Sequence, residues 1–310
     1  MNSKPFFDYT ELVDLLEQRG MHLPDKQRAQ RKLSQVGYYR LSGFWYSCRK
    51  SNPNSTHKRL DEFLPNTSFD EVYKLYLLDK RLRLLLLDAI ERIEVRLKAV
   101  IAYVMGKQNP MAYTDNKFIN PKQLKDYYRQ GQLCNSWDEW LKRQESELLR
   151  SKEDYIVHHF KNNMPIPIWV AVEAWSFGTL SKYFEMLKGS FQQKIIKNLG
   201  VSNAAYFARW LQAINTLRNR CAHHSRVWNQ VEKNPLKLPL SDAEDALFFA
   251  GFGRFSDEQR KRIYVLGVII GYLVQKIGPN SDWLSRFLEE LDKTPSLPIS
   301  FAQGIGKLKN

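Results

Sequence analysis

Cysteine is scarce in this chain. Three occur in 310 residues, Cys48, Cys134 and Cys221, and no two are close in sequence. An odd, scattered set argues against a disulfide framework, and the lack of a CxxC pair removes the usual zinc and dithiol chemistry. Long apolar runs are also missing. The longest, 263–274, falls short of the roughly 20 residues that a membrane helix needs, and Gly267 and Gly271 interrupt it. The first residues, Met1 to Pro5, open no apolar signal core. These absences predict a soluble, cytoplasmic protein with no membrane partner.

Several catalytic motifs are absent too. There is no GxxxxGKS/T loop, no HExxH and no GxSxG. Gly251-Phe252-Gly253 lacks the third glycine and the βαβ setting of a dinucleotide fingerprint. P-loop hydrolysis, zinc proteolysis and serine hydrolysis therefore lose their marks. The pairs His158-His159 and His223-His224 are poor chelates, because neighbouring side chains on a helix diverge by about 100°. No metal site and no cofactor is expected. Acidic residues are in deficit: 33 Asp and Glu face 47 Lys and Arg, a formal charge of +14. That surplus favours a polyanionic partner, nucleic acid or an acidic membrane face. A merely basic soluble protein would have the same totals.

What is present is helical periodicity. Leu12, Leu15 and Leu16 share a face in 9–19, which Gly20 stops. A second helix follows Pro24 and ends near Val36, with Lys26, Arg28, Arg31 and Lys32 on its outer face. The aromatic stretch 38–46 comes next, and 51–58 reads as a loop. Ser68 and Glu71 form an S-x-x-E capping pattern that opens a long central helix to Gly106. Further helices are predicted at 121–129, 137–161, 168–177 and 180–187, the last two on either side of Gly178. Another runs from about Asn203 to Ala222. Ser256 and Gln259 suggest a second capping box, opening a helix to about Ile277, and a last helix covers about 281–291. Alternating strand patterns are scarce. The fold class is all-α, in one unit: an N-terminal helical arm (1–66), a helical core (67–278), and a C-terminal helix and tail (279–310).

The segment 217–229 concentrates the chemistry. It holds Arg218, Arg220 and Arg226, the amide of Asn219, and His223 and His224 at the end of a helical pattern. Arginine grips phosphate oxygens with a two-pronged fork, and histidine moves protons near neutral pH. Phosphodiester cleavage needs both abilities together. If the helix continued through His224, Asn219 and His223 would share one face, and so would Arg220 and His224. Arg218 and His223 would diverge by about 140° at the helical period. A second copy facing the first would place two arginines and two histidines around one cleft. The plainer reading is also physical: cationic residues gather at helix C-termini as caps.

The pattern Arg218, Asn219, His223 resembles the mark of the HEPN superfamily. The fuller text 218–229 resembles the abortive-infection proteins of the AbiD/AbiF type. The stretches 36–46 and 167–181 agree with them in the expected order. The resemblance implies an α-helical HEPN bundle, dimeric, with the Arg/His motifs of two subunits meeting. It implies a metal-independent endoribonuclease that leaves 2′,3′-cyclic phosphate ends and acts as an anti-phage toxin. Some relatives work with a small non-coding RNA. In this reading His223 is the general acid/base, Arg218 binds the scissile phosphate, Asn219 orients and His224 assists. The alternative is a non-catalytic defence protein that holds a structured RNA in the same basic cleft. A third reading makes the segment purely a dimer contact.

Other residues are candidates for support. Arg220, Arg226, Arg40, Lys26, Arg28, Arg31 and Lys32 are candidate RNA contacts, although a charged helix face is usually just solvated. Tyr38, Tyr39, Phe44, Trp45 and Tyr46 either stack on bases or build the core, and aromatics at helical spacing favour core. Glu173, Glu91 and Glu94 either orient His223 or Arg218, or form surface ion pairs.

Overall fold

The computed structural model describes residues 5–55, 58–239, 245–252 and 255–307. It is an all-α bundle with two small hairpins. Three helices open the chain: α1 (Tyr9–Gln18), α2 (Lys26–Val36) and α3 (Tyr38–Trp45). Asp8 caps α1 by accepting from the Thr10 and Glu11 amides, and Glu11 reaches back to the Asp8 amide at 2.7 Å. Asp25 caps α2 through the Arg28 amide at 2.8 Å. Gly37, at φ 88°, makes the sharp corner between α2 and α3. A hairpin of β1 (Arg49–Ser51) and β2 (Arg59–Phe63) follows.

The axis of the bundle is α4 (Phe69–Gly106), a helix of 38 residues. Apolar residues at helical spacing, from Val72 and Leu75 through Leu82, Leu86 and Ile93 to Val104, bury its core stripe. The expected Ser68 capping box does not form. The Glu71 carboxylate is engaged instead by Lys74 and by the Ser296 amide at 2.7 Å. The start of α4 is tied to the preceding chain by backbone, with His22 N–H on the Thr67 carbonyl at 2.8 Å and Phe69 N–H on His22 at 3.0 Å.

Beyond α4, the helix expected at 121–129 is a single 3₁₀ turn, Pro121–Leu124, followed by a hairpin of β3 (Asp126–Arg129) and β4 (Gln132–Asn135). The two-residue turn Gln130-Gly131 has both φ angles positive, 51° and 79°. Such a turn matches strand twist, which is why this stretch reverses rather than coils. The helix expected at 137–161 is two, α5 (Ser136–Arg150) and α6 (Asp154–Lys161), parted by extended backbone at Ser151 and Glu153. The break near Gly178 falls earlier. α7 (Ile168–Ala174) ends before Trp175, and Ser176 caps α8 (Phe177–Met186).

Sequence reading passed over α9 (Gly189–Leu199), whose Ile195 and Ile196 are buried and whose end is a left-handed Gly200. The helix expected from Asn203 is α10 (Ala204–Ala222), capped by the Asn203 side chain. After it come α11 (Ala246–Phe249), α12 (Asp257–Arg260), α13 (Ile263–Ile277), α14 (Trp283–Asp292) and α15 (Phe301–Ile305). The Ser256–Gln259 capping box forms, but its helix stops after one turn. The freed carbonyls of Arg260 and Lys261 accept from Leu236 and Glu232 of the loop after α10.

α13 is buried along nearly its whole length against α4, α10 and α14. Its glycines serve packing. A methyl group on Gly267 would overlap the ring of Phe287, and one on Gly271 would come 2.8 Å from Leu284 Cδ1. Gly267→Ala should therefore cost about 1–3 kcal/mol by overpacking. Gly189→Ala, at the exposed start of α9 with nothing within 4 Å of the new methyl, should be neutral or gain up to about 1 kcal/mol. Urea denaturation of both variants checks the contrast, and equal midpoints would refute it.

Candidate functional site

α10 carries the basic-histidine segment to a defined place. Phe207, Trp210, Leu211, Ile214, Leu217 and Cys221 are buried on its inner side, among α4, α8, α9 and α13. That registry turns Asn219 to the surface and leaves Arg218 half-buried. His223 is the C-cap, so Asn219 and His223 do share a face, joined by a backbone hydrogen bond at 3.0 Å. Arg220 and His224 do not. The helix ends at Ala222, and His224 takes a left-handed φ of 57°.

The ending is a full Schellman turn. Ser225 N–H donates to the Arg220 carbonyl at 2.8 Å and His224 N–H to Cys221 at 3.1 Å. Glycine normally occupies the left-handed position, and a side chain there costs about 1–2 kcal/mol. The strained residue is held from outside: Arg40 Nη1 on α3 donates to the His224 carbonyl at 2.7 Å. Arg40 thus clamps this turn.

The next residues are fixed by one carboxylate. Asp79 of α4 is 0% exposed, and its Oδ1 accepts from the Val227 amide at 2.9 Å and the Trp228 amide at 2.7 Å. Its other oxygen is ion-paired with Arg83, one turn along the same helix. Burial pushes the Asp79 carboxyl above its usual range. The Trp228 amide, Arg83, the Val227 amide and Arg226 pull it back down. Asn229, also left-handed at φ 55°, is gripped twice, by Arg262 Nη1 on Oδ1 at 2.7 Å and by Ser47 Oγ at 3.2 Å. Sequence reading missed Asp79, Arg83, Ser47 and Arg262. The signal for Asp79 and Arg83 was there: charges spaced i, i+4 inside the stripe of Leu75, Leu78, Leu82 and Leu86.

With the backbone so fixed, the side chains of Asn219, His223 and His224 are exposed. None of these three, nor Arg218, donates or accepts a side-chain hydrogen bond among the described residues. Arg218 faces the half-buried Glu94. Burial raises the Glu94 carboxyl, while Lys98 and Arg218 lower it. Glu91 adds a like charge beside Glu94, and the exposed Glu173 offers only its carbonyl, to Lys98 Nζ at 2.9 Å. Of the three expected carboxylates, Glu94 is the one electrostatically coupled to the segment.

The other basic candidates are mostly engaged. Arg220 pairs with Glu232 at 3.2 Å, and Arg226 is half-buried beside Trp228. On α2, Lys26 pairs with Glu17 at 2.6 Å and Arg28 with Asp70 at 3.3 Å. Lys32 lies over the Tyr73 ring at 5.2 Å, and Arg31 is exposed. Among the described residues no three His, Cys, Asp or Glu side chains gather as metal ligands, and no helix is long and apolar enough to cross a membrane.

The arrangement can deliver an exposed imidazole and an unpaired guanidinium from a rigid helix end, where the dipole favours cations. Two stability measurements test the rigidity. Asp79→Ala strands two amides and the Arg83 charge, and should cost about 3–5 kcal/mol in urea denaturation. His224→Gly relieves the left-handed strain and should match wild type or exceed it by up to about 1 kcal/mol. A mild Asp79→Ala variant, or a strongly destabilised His224→Gly, would contradict this account.

Comparison with known proteins bears on the same segment. No curated protein and no solved structure matched the chain. A family model described as "Abi-like protein" matches residues 31–229, beginning within α2 and ending at the doubly gripped Asn229. The match covers well over half of the chain and takes in α3, Asp79 and the whole basic-histidine turn, so this protein belongs to the Abi-like family.

Proposed function

We propose that this protein is a metal-independent endoribonuclease of the HEPN type, cytoplasmic and homodimeric, acting as a toxin in abortive infection. Membership in the Abi-like family suggests abortive infection, the bacterial defence against phage. The observation that carries the nuclease reading is the pair of exposed side chains Asn219 and His223 beside the half-buried Arg218, none of them hydrogen-bonded through its side chain among the described residues, on a helix end that Arg40 and Asp79 hold still. The charge of +14 supports a polyanionic substrate.

The chemistry follows from those groups. A neutral imidazole takes the proton of an RNA 2′-hydroxyl, and the freed oxygen attacks the adjacent phosphorus. A protonated imidazole gives its proton to the departing 5′-oxygen. The bond to that oxygen breaks, leaving a 2′,3′-cyclic phosphate and a 5′-hydroxyl. The Arg218 guanidinium stabilises the charge that builds on the phosphorane oxygens. Arg218 and His223 are five residues apart, about 140° around a helical period, so a second copy would complete the set, each chain's Arg218 serving with its partner's imidazole. Asn219, one turn before His223, orients the substrate or the ring, and His224 assists.

The rival reading is an RNA-binding defence protein without catalysis. It draws on one observation: no carboxylate accepts from the His223 ring among the described residues, whereas acid–base histidines are commonly oriented by one.

Incubation of the purified protein with RNA in EDTA, followed by end-group analysis, separates the two. Wild type should yield cyclic-phosphate ends. His223→Ala should lower the rate by about 10²–10⁴-fold while circular dichroism is unchanged, because the side chain is exposed. Arg218→Ala should also abolish cutting. Cleavage that needs Mg²⁺, or that survives His223→Ala, would overturn the mechanism. Salt-dependent binding with no new ends would favour the rival.

A further inference from the structure

We propose that the pocket between β2, the turn after α10 and the segment leading into α15 is a binding site for a phosphate group. The proposal stands apart from the ribonuclease reading, since none of Arg218, Asn219, His223 and His224 lines this pocket.

The pocket has a volume of about 420 Å³, and its polar lining is Ser47, Arg59, Asn229, Arg262, Ser300 and Gln303. No Asp or Glu lines it among the described residues. Arg59 and Arg262 are both half-buried. Other half-buried guanidiniums in this chain have carboxylate partners: Arg19 and Arg49 meet Asp61 at 3.0 Å and 2.9 Å, and Arg220 meets Glu232 at 3.2 Å. Arg59 and Arg262 have none among the described residues. Arg59 Nη1 donates to the Arg49 carbonyl at 2.6 Å, and Arg262 Nη1 to Asn229 Oδ1 at 2.7 Å. Both partners are neutral, so two positive charges face one cavity uncompensated. Glu258 is close enough to feel Arg262, but it lies outside the lining, is exposed, and pairs with Lys261 at 2.6 Å. Partial burial of an unpaired charge is costly, and an anion in the pocket removes that cost.

The neutral groups select the same kind of ligand. Ser47 Oγ accepts from the Asn229 amide at 3.2 Å, and Ser300 Oγ accepts from the Gln303 backbone N–H at 3.2 Å. Each hydroxyl oxygen is thus used as an acceptor, and its proton is left to donate. The Gln303 side-chain amide is exposed and makes no hydrogen bond among the described residues. The Trp228 indole N–H, at the buried side of the pocket, has no acceptor among them either. Side-chain donors are in excess and acceptors are spent. A phosphate is acceptor-rich, carries up to two charges, and matches the guanidinium fork. A carboxylate brings one charge and two oxygens, which leaves one arginine unanswered. The volume lies in the range of small-molecule sites, with room for the group that bears the phosphate.

Occupation would also tie separate parts of the chain together. Arg262 and Ser47 already grip Asn229 at the end of the turn that follows α10. A phosphate shared by Arg59 and Arg262 adds β2 to that junction, and Ser300 and Gln303 add the chain around the start of α15.

The test is equilibrium dialysis of the full chain against radiolabelled inorganic phosphate at constant ionic strength, with circular dichroism of each variant. Wild type should saturate at one phosphate per chain, and equimolar acetate should not displace it. Arg59→Gln and Arg262→Gln should each weaken binding by at least about tenfold. Gln303→Ala removes an exposed side chain that holds nothing else, so it serves should either arginine variant fail to fold; it should weaken binding by about two- to tenfold. Arg218→Ala should bind phosphate like wild type. Ribose 5-phosphate and a 2′-O-methyl oligouridylate without terminal phosphate, added as competitors, separate the sources. Displacement by the sugar phosphate alone assigns the site to a small phosphomonoester, displacement by the oligonucleotide assigns it to an RNA backbone, and displacement by neither assigns it to free phosphate. All three uphold the site. No saturable binding, equal displacement by acetate, binding unchanged in the folded variants of the pocket, or binding lost in Arg218→Ala overturns it.

Discussion

The buried carboxylate of Asp79 is the contact on which the site depends. The chain leaves α10 through a left-handed histidine, an arrangement with no intrinsic reason to persist. Two hydrogen bonds from consecutive amides to a fully buried acid turn the following residues into a fixed strap across α4. Each partner needs the other. The amides would be unsatisfied in the core without the carboxylate, and the carboxylate would be an unpaired buried charge without them and Arg83. The same α4 packs against α10 directly, so the helix and the turn that ends it are referenced to one rigid body.

Around that anchor, α3 acts as a second reference. Its Arg40 holds the carbonyl of the left-handed His224, and its Gly43 lies beside the Arg226 guanidinium. α3 itself is placed by the Gly37 corner and by the burial of Leu41, Phe44 and Trp45. Basic residues that look interchangeable in a list thus have different duties. Arg40, Arg83 and Arg262 hold backbone or other side chains, Arg220 neutralises Glu232, and Arg218 keeps its donors uncommitted.

The legible and illegible parts of the chain differ for physical reasons. Long apolar stripes such as that of α4 were readable because burial imposes the 3.6-residue period over many turns. Short elements were not. β3 falls within the stretch expected as helix, 121–129, because a four-residue strand carries little pattern, and the Gln130-Gly131 turn was the one local cue. α12 and α13 were read as one helix. A tertiary contact breaks them, in which the loop after α10 takes the Arg260 and Lys261 carbonyls. Ser68 had the right spacing for a capping box, but Glu71 found a partner 225 residues away.

Sequence by itself determined the helical class, the place of the Arg218 to His223 segment at a helix end, and the excess of positive charge. These are local or additive properties, set by period, capping chemistry and composition. Tertiary structure alone decided that His224 would leave the helix, that Arg40 would be a clamp, that Asp79 would hold the strap, and that Arg59 and Arg262 would line one pocket. Those outcomes depend on which groups meet across large sequence separations, 184 residues for Arg40 and His224. A buried polar group must find its partner wherever the fold brings one, and no local pattern encodes where that is.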